Sequence, residues 1–151
     1  NSAVDQALLE IAHDLGDDLV DGSVLRLGDP RDQRLTERER LGSTGFGGGV
    51  AIPHGRIEGL NHIVGVFVLL AQPVDFSSVD DAPVDVVFCL LSPPDVGADH
   101  LKGLAQVSRW LHDAGFVAKL RGAASQDALV ALFGALEAQS KSERAVRCRA
   151  P

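Results

Sequence analysis

"VDVVFCLL", residues 84–91, carries one charge in eight positions, and the other seven residues are apolar. A short continuous run of this kind, rich in valine, is the pattern of a strand covered on both faces. "IVGVFVLL" at 63–70 has the same character, so two buried strands are expected. Between them, "VDFSSVDDAPV" (74–84) leaves room for a brief strand or turn around residues 74–76. Downstream the period changes. "PPDVGADHLKGLAQVSRWLHDAG" (93–115) sets Leu101, Leu104, Val107 and Leu111 on one helical face, with Asp99 as a plausible N-cap. "SQDALVALFGALEAQ" (125–139) is a second such helix, capped by Ser125. Upstream, "AVDQALLEIAHDL" (3–15) spaces Val4, Leu8, Ile11 and Leu15 as an amphipathic helix, and "DGS" at 21–23 breaks it. Another helix opens either at Asp29 with Pro30 or at the Thr36–Glu39 capping box. It carries Arg38 and Arg40 and ends near Leu41. Helices on both sides of a central set of strands make the expected class α/β, a three-layer α/β/α domain around a mixed β-sheet. The domain is expected over residues 1–140. The basic stretch after it, 141–151, has no apolar period and reads as a mobile tail.

The bulk properties exclude several classes of function. A chain of 151 residues with 45% apolar content is long enough to bury a core. Its net charge of −7 offers no global basic field, so a nucleic-acid partner is not expected. No apolar run reaches membrane-spanning length, and the first residues do not read as a signal peptide. The two cysteines do not form a disulfide framework: Cys89 lies inside an apolar run and Cys148 in the polar tail. A soluble, cytoplasmic protein without membrane insertion is the expectation.

"GSTGFGGGVAIPHGR" (42–56) is the costliest stretch of backbone, with six glycines in fifteen residues. It leads through a short strand, stopped by Pro53, to His54. Of the five histidines, His13 reads as a surface residue, His62 precedes a strand, and His112 is a helix-terminal residue favoured by the dipole. His54 and His100 stand beside strand ends, where sites of α/β domains collect, although a loop histidine and a helix-start residue are the plainer readings. Zinc ligation would need a third or fourth ligand, and neither HExxH nor CxxC spacing is present. No GxSxG elbow supports a serine hydrolase, and "GSTGFGGG" lacks the lysine of a phosphate-binding P-loop. Histidine as a nucleophile toward phosphorus is the third competing chemistry, with backbone amides and an arginine as the donors that a phosphoryl group requires.

"RERLGSTGFGGGVAIPHGR" resembles the phosphohistidine motif of enzyme IIA proteins of the bacterial phosphotransferase system, in the fructose–mannitol–nitrogen class. The resemblance runs over about residues 36–135 and includes the "HL" at 100–101 that opens a helix. It implies that His54 is phosphorylated, that His100 supports it by a hydrogen bond, and that Arg38 faces the phosphoryl group. Arg40 then reads as a solvated helix residue. Ser43, Thr44, Gly45, Gly47 and Gly49 would form the segment that approaches the phosphoryl oxygens, although Ser43 and Thr44 read equally well as turn or helix-terminal residues. No cofactor or metal is implied. The implied donor is an HPr-type phosphocarrier. The implied acceptor is a IIB domain or a regulated protein such as a kinase or transporter. Phe46 and Val50 flank the glycines and are either core or part of an apolar docking ring.

"GSTGxGxGxAIPHG" without a fused membrane, IIB or HPr-like segment looks closest to the nitrogen-related, regulatory branch. A sugar-transporting IIA is the alternative, and a module that kept the fold and lost phosphotransfer is the third reading.

Overall fold

The computed structural model describes Arg38 and residues 44–147, with side chains as far as residue 139. The helices expected within residues 3–41 therefore lie outside the described residues, apart from Arg38, which is helical and half-buried. Ser43 also lies outside them.

The chain from Thr44 onward forms a five-stranded mixed sheet followed by three helices. β1 (Gly45–Gly47) pairs antiparallel with β2 (Val50–Ala51). β2 and β3 (His54–Arg56) both run parallel to β5 (Val84–Ser92). They keep one 36-residue offset to β5, Val50 opposite Val86 and His54 opposite Leu90. They are thus one strand direction interrupted at Ile52 and Pro53. Proline lacks the donor for a ladder, yet its carbonyl still accepts from Leu90 N–H at 2.9 Å. Register therefore survives the break, and His54 emerges on a fixed rail. β4 (Val64–Val74) is antiparallel to β5, with a register shift between Leu69 and Val74 that accommodates Pro73. The α/β class and the mixed sheet stand as expected.

β5 is covered on both faces, as its composition predicts: Val84, Val86 and Val87 are fully buried. The core cluster joins it to Ala51, Ile57, Leu70 and Phe76. Burial alone pushes the Cys89 thiol up to about 12, so its thiolate is scarce at neutral pH. Alkylation of the native protein at pH 8, mapped by peptide mass spectrometry, should leave Cys89 unlabelled until denaturant is added.

β4 departs from expectation. Val64, Val66 and Val68 pack against the core cluster but remain only partly buried, and Leu69 is 40% exposed. Among the described residues β4 bonds to β5 alone, so it is half-covered despite apolar residues on both faces. Gly65 on its outward face makes room for the Phe88 ring: a Cβ there would stand 2.8 Å from Phe88 Cζ. Phe88 is itself buried and has little freedom to yield. Gly65→Val should therefore destabilise by about 1–3 kcal/mol through overpacking, read as a lower denaturation midpoint at unchanged m-value.

α1 (Gly97–Leu111) starts two residues before Asp99, which falls in its first turn rather than at its N-cap. The inward face also differs from expectation. His100 is buried, whereas Leu101 is 63% exposed. Positions 100, 104, 107 and 111 follow the helical period, and Gly103 of the helix lies against the Leu90 side chain. α2 (Ala114–Arg121) is capped by Asp113, which accepts from Gly115 and Phe116 amides. α3 (Gln126–Arg147) opens after Ser125, whose hydroxyl accepts from Ala128 N–H at 3.2 Å. α3 continues to Arg147, past the expected boundary at 140. "SKSERAVR" contains no glycine or proline, so no residue in it forces the helix to stop. The chain divides into two compact units, Asn1–Ser108 and Arg109–Pro151. In the second, Phe133 of α3 meets Phe116 of α2 edge-on at 5.5 Å. The first contains the sheet and both histidines of interest.

Candidate active site

The glycine stretch is used first as a hairpin. Gly47, Gly48 and Gly49 have φ of 102°, 65° and 75°, three successive left-handed residues that turn β1 into β2. At Gly47 a Cβ would also come 3.2 Å from an Asp80 oxygen. Asp80 accepts from the Gly48 and Ala82 amides, and these bonds hold its carboxyl below the usual range. The Gly49 carbonyl accepts from Asp85 and Val86 amides, stitching the turn to β5. Val50 is core, 2% exposed, which removes it from any docking ring; Phe46 is half-buried in β1. Thr44 is half-buried, and its carbonyl accepts from the Ile52 amide at 3.2 Å.

The next residues present His54. Its ring is half-buried, and Nδ1 lies 2.9 Å from the Ile52 carbonyl oxygen. A carbonyl only accepts, so Nδ1 is the donor and carries the proton. In the neutral ring the lone pair is then on Nε2. That is the nitrogen free to attack.

His100, 46 residues later, brings its ring centroid to 5.8 Å from that of His54, tilted by 46°. β3 and β5 set one ring and α1 the other. His100 is 6% exposed, and its Nδ1 is 2.5 Å from the hydroxyl of Ser92, the last residue of β5. Burial, then the charges of His54 and Arg56, hold His100 below the ordinary histidine value of 6.5. His62 and His112 are exposed.

Arg56 and Ser92 are absent from the sequence expectations. Arg56 follows His54 by two residues on the same strand, the spacing that places two side chains on one face. Its guanidinium lies over Gly97, where a Cβ would be 3.3 Å from one of its nitrogens. Gly97 is the first residue of α1, so this cation and a helix N-terminus meet beside the two imidazoles. Ser92 is opposite Arg56 in the parallel ladder. Two imidazoles, a guanidinium and a helix N-terminus together favour a transient anion with several oxygens. Among the described residues no group of three His, Cys, Asp or Glu is arranged to hold a metal ion, and no helix is long and apolar enough to cross a membrane.

The chain is similar to several known proteins. A nitrogen regulatory protein of Bradyrhizobium diazoefficiens is 53% identical over 94 residues, covering 62% of this chain and 60% of that protein. A fructose-specific EIIA component of the phosphotransferase system from Haloferax volcanii is 38% identical over 77 residues, covering 51% of this chain and 50% of that one. The chain thus spans well under two thirds of the length of either relative. The crystal structure of the nitrogen regulatory protein IIA-Ntr from Neisseria meningitidis superposes with a TM-score of 0.70 at 31% identity, covering 85% of this chain and 84% of that one. The family model described as phosphoenolpyruvate-dependent sugar phosphotransferase system, EIIA 2, matches residues 26–135. That span takes in every strand of the sheet, both histidines and all of α1 and α2, and on it the chain belongs to the EIIA 2 family of the phosphoenolpyruvate-dependent sugar phosphotransferase system.

Proposed function

We propose that this chain is a phosphocarrier that accepts a phosphoryl group on His54 from an HPr-type phosphoprotein and serves a regulatory, nitrogen-related role. The observation that carries the reading is the His54 hydrogen bond to the Ile52 carbonyl, which leaves Nε2 as the nucleophile beside His100 and Arg56. In the transfer the Nε2 lone pair forms the new N–P bond while the bond to the donor breaks, its electron pair going to the donor's ring nitrogen. The His54 ring gains positive charge as this happens. The Ile52 carbonyl dipole points at the Nδ1 proton and stabilises that charge. Arg56 and His100 face the phosphoryl oxygens, whose charge needs fixed donors. Arg38, and the segment with Ser43, Thr44, Gly45, Gly47 and Gly49, remain further proposed contacts, supported by the motif match that includes them. The acceptor is a IIB domain or a regulated protein.

The regulatory branch is favoured over a sugar carrier by 53% identity to a nitrogen regulatory protein against 38% to a fructose-specific component. Incubation with a phosphorylated HPr-type donor tests the reading. Acid-labile, base-stable phosphate on the chain supports it, and no uptake leaves a module that kept only the fold. Efficient onward transfer to a fructose- or mannitol-type IIB would instead assign the sugar branch.

A further inference from the structure

The contact between Ser92 and His100 defines the proton inventory of the site. A hydroxyl can donate to a ring nitrogen or accept from a ring N–H, so the 2.5 Å separation alone allows both directions. Burial decides between them. Ser92 is 0% exposed, and among the described residues His100 Nδ1 is the one partner of its hydroxyl. Were Nδ1 the donor, the serine proton would be enclosed without an acceptor, the state that buried donors avoid. With the hydroxyl donating, that proton is used, and the ring's own proton resides on Nε2. The two nitrogens of an imidazole point in diverging directions, so Nε2 faces away from Ser92. A second ring proton is opposed by burial and by the charges of His54 and Arg56 on β3. The two histidines then carry opposite tautomers: His54 with its lone pair on Nε2, His100 with its proton there.

We infer that Ser92 is a positioning residue whose hydroxyl, donating to Nδ1, holds His100 as the neutral Nε2–H tautomer, a preset donor to the phosphoryl oxygens carried by His54. The kinetic consequence rests on the phosphocarrier reading; the tautomer does not. Ser92 acts at one remove, through the ring it orients. A hydroxyl at the end of "VDVVFCLLS" thus turns a structural strand terminus into part of the site.

Long-range ¹H–¹⁵N correlation spectra of the unphosphorylated, full chain at pH 8 read the tautomer directly. His100 Nδ1 should resonate as an unprotonated nitrogen and Nε2 as a protonated one. In Ser92→Ala the Nδ1–H form should become populated, and phosphate uptake from a phosphorylated HPr-type donor should slow about ten-fold, the effect of one net hydrogen bond. Ser92→Thr, which keeps the hydroxyl, should restore both. A protonated Nδ1 in the unaltered protein overturns the inference without any variant. So does Ser92→Ala with unchanged tautomer and unchanged rate. If the unaltered protein takes up no phosphate but shows the Nε2–H form, and Ser92→Ala shifts it, the tautomer assignment holds and the phosphocarrier reading fails.

Discussion

His54→Ala is expected to bring phosphate uptake down to background, because no atom remains to bond phosphorus. The loss should be complete rather than graded. A removed hydrogen-bond donor leaves a slower reaction, whereas a removed nucleophile leaves none at that site. His54→Gln sharpens the test, since its amide can keep a hydrogen bond to the Ile52 carbonyl without offering a nucleophilic nitrogen. Neither change should unfold the protein. His54 is half-buried, and its ring makes one bond to a main-chain carbonyl, worth about 1 kcal/mol net. A shift of a few degrees in Tm beside zero uptake therefore separates chemistry from folding. Labelled phosphate from the donor, followed by peptide mapping at alkaline pH, locates the modified ring. Label on the peptide containing His100, or full uptake by His54→Ala, would overturn the assignment.

β5 was legible because its composition and its environment agree: nearly every position is apolar, and nearly every position is buried. β4 has the same alphabet and a different fate. Its two faces are both apolar, but only the face of Val64, Val66 and Val68 meets the core cluster, and residue type does not encode which neighbours a strand will find. α1 departs from expectation in both its start and its inward face. Asp99 attracted the N-cap, yet the helix begins at Gly97, and the inward place expected for Leu101 belongs to His100. That displacement matters, because a buried His100 is what brings its ring toward His54. The resemblance implies a phosphoryl-facing role for the glycines, whereas the left-handed backbone of Gly47, Gly48 and Gly49 is accounted for by the β1–β2 turn and its tie to Asp80. Arg56 had a signal that went unused, the two-residue spacing from His54 within one strand. Ser92 had none: its meeting with His100 depends on the length of β5 and the placement of α1, which are tertiary facts. The family resemblance reached the histidine pair because motif order carries over long sequence separations where periodicity does not.

His100→Ala should slow uptake about a hundred-fold without abolishing it, equivalent to about 2.7 kcal/mol of transition-state stabilisation for one positioned donor. The pH dependence of that loss identifies the form in which His100 acts. Its ring titrates below the ordinary 6.5 because burial, and then the charges of His54 and Arg56, disfavour the imidazolium. For stability the sign follows directly. The unfolded chain binds the proton more readily, so His100 contributes stability above about 6.5, and that contribution is lost as pH falls toward the folded value. For function, the neutral ring predominates at pH 7 and above, and a neutral Nε2–H donor gains nothing from further acid. The ratio of unaltered to His100→Ala rates should accordingly stay constant between about pH 7 and 8.5. A protonated donor predicts the opposite: the ratio would collapse toward one as pH rises through the histidine range, because the form responsible would be disappearing. Measuring both proteins with the same phosphorylated donor removes the donor's own titration from the comparison. A falling ratio would show that the imidazolium, stabilised by the arriving phosphoryl charge against Arg56, is the species that works.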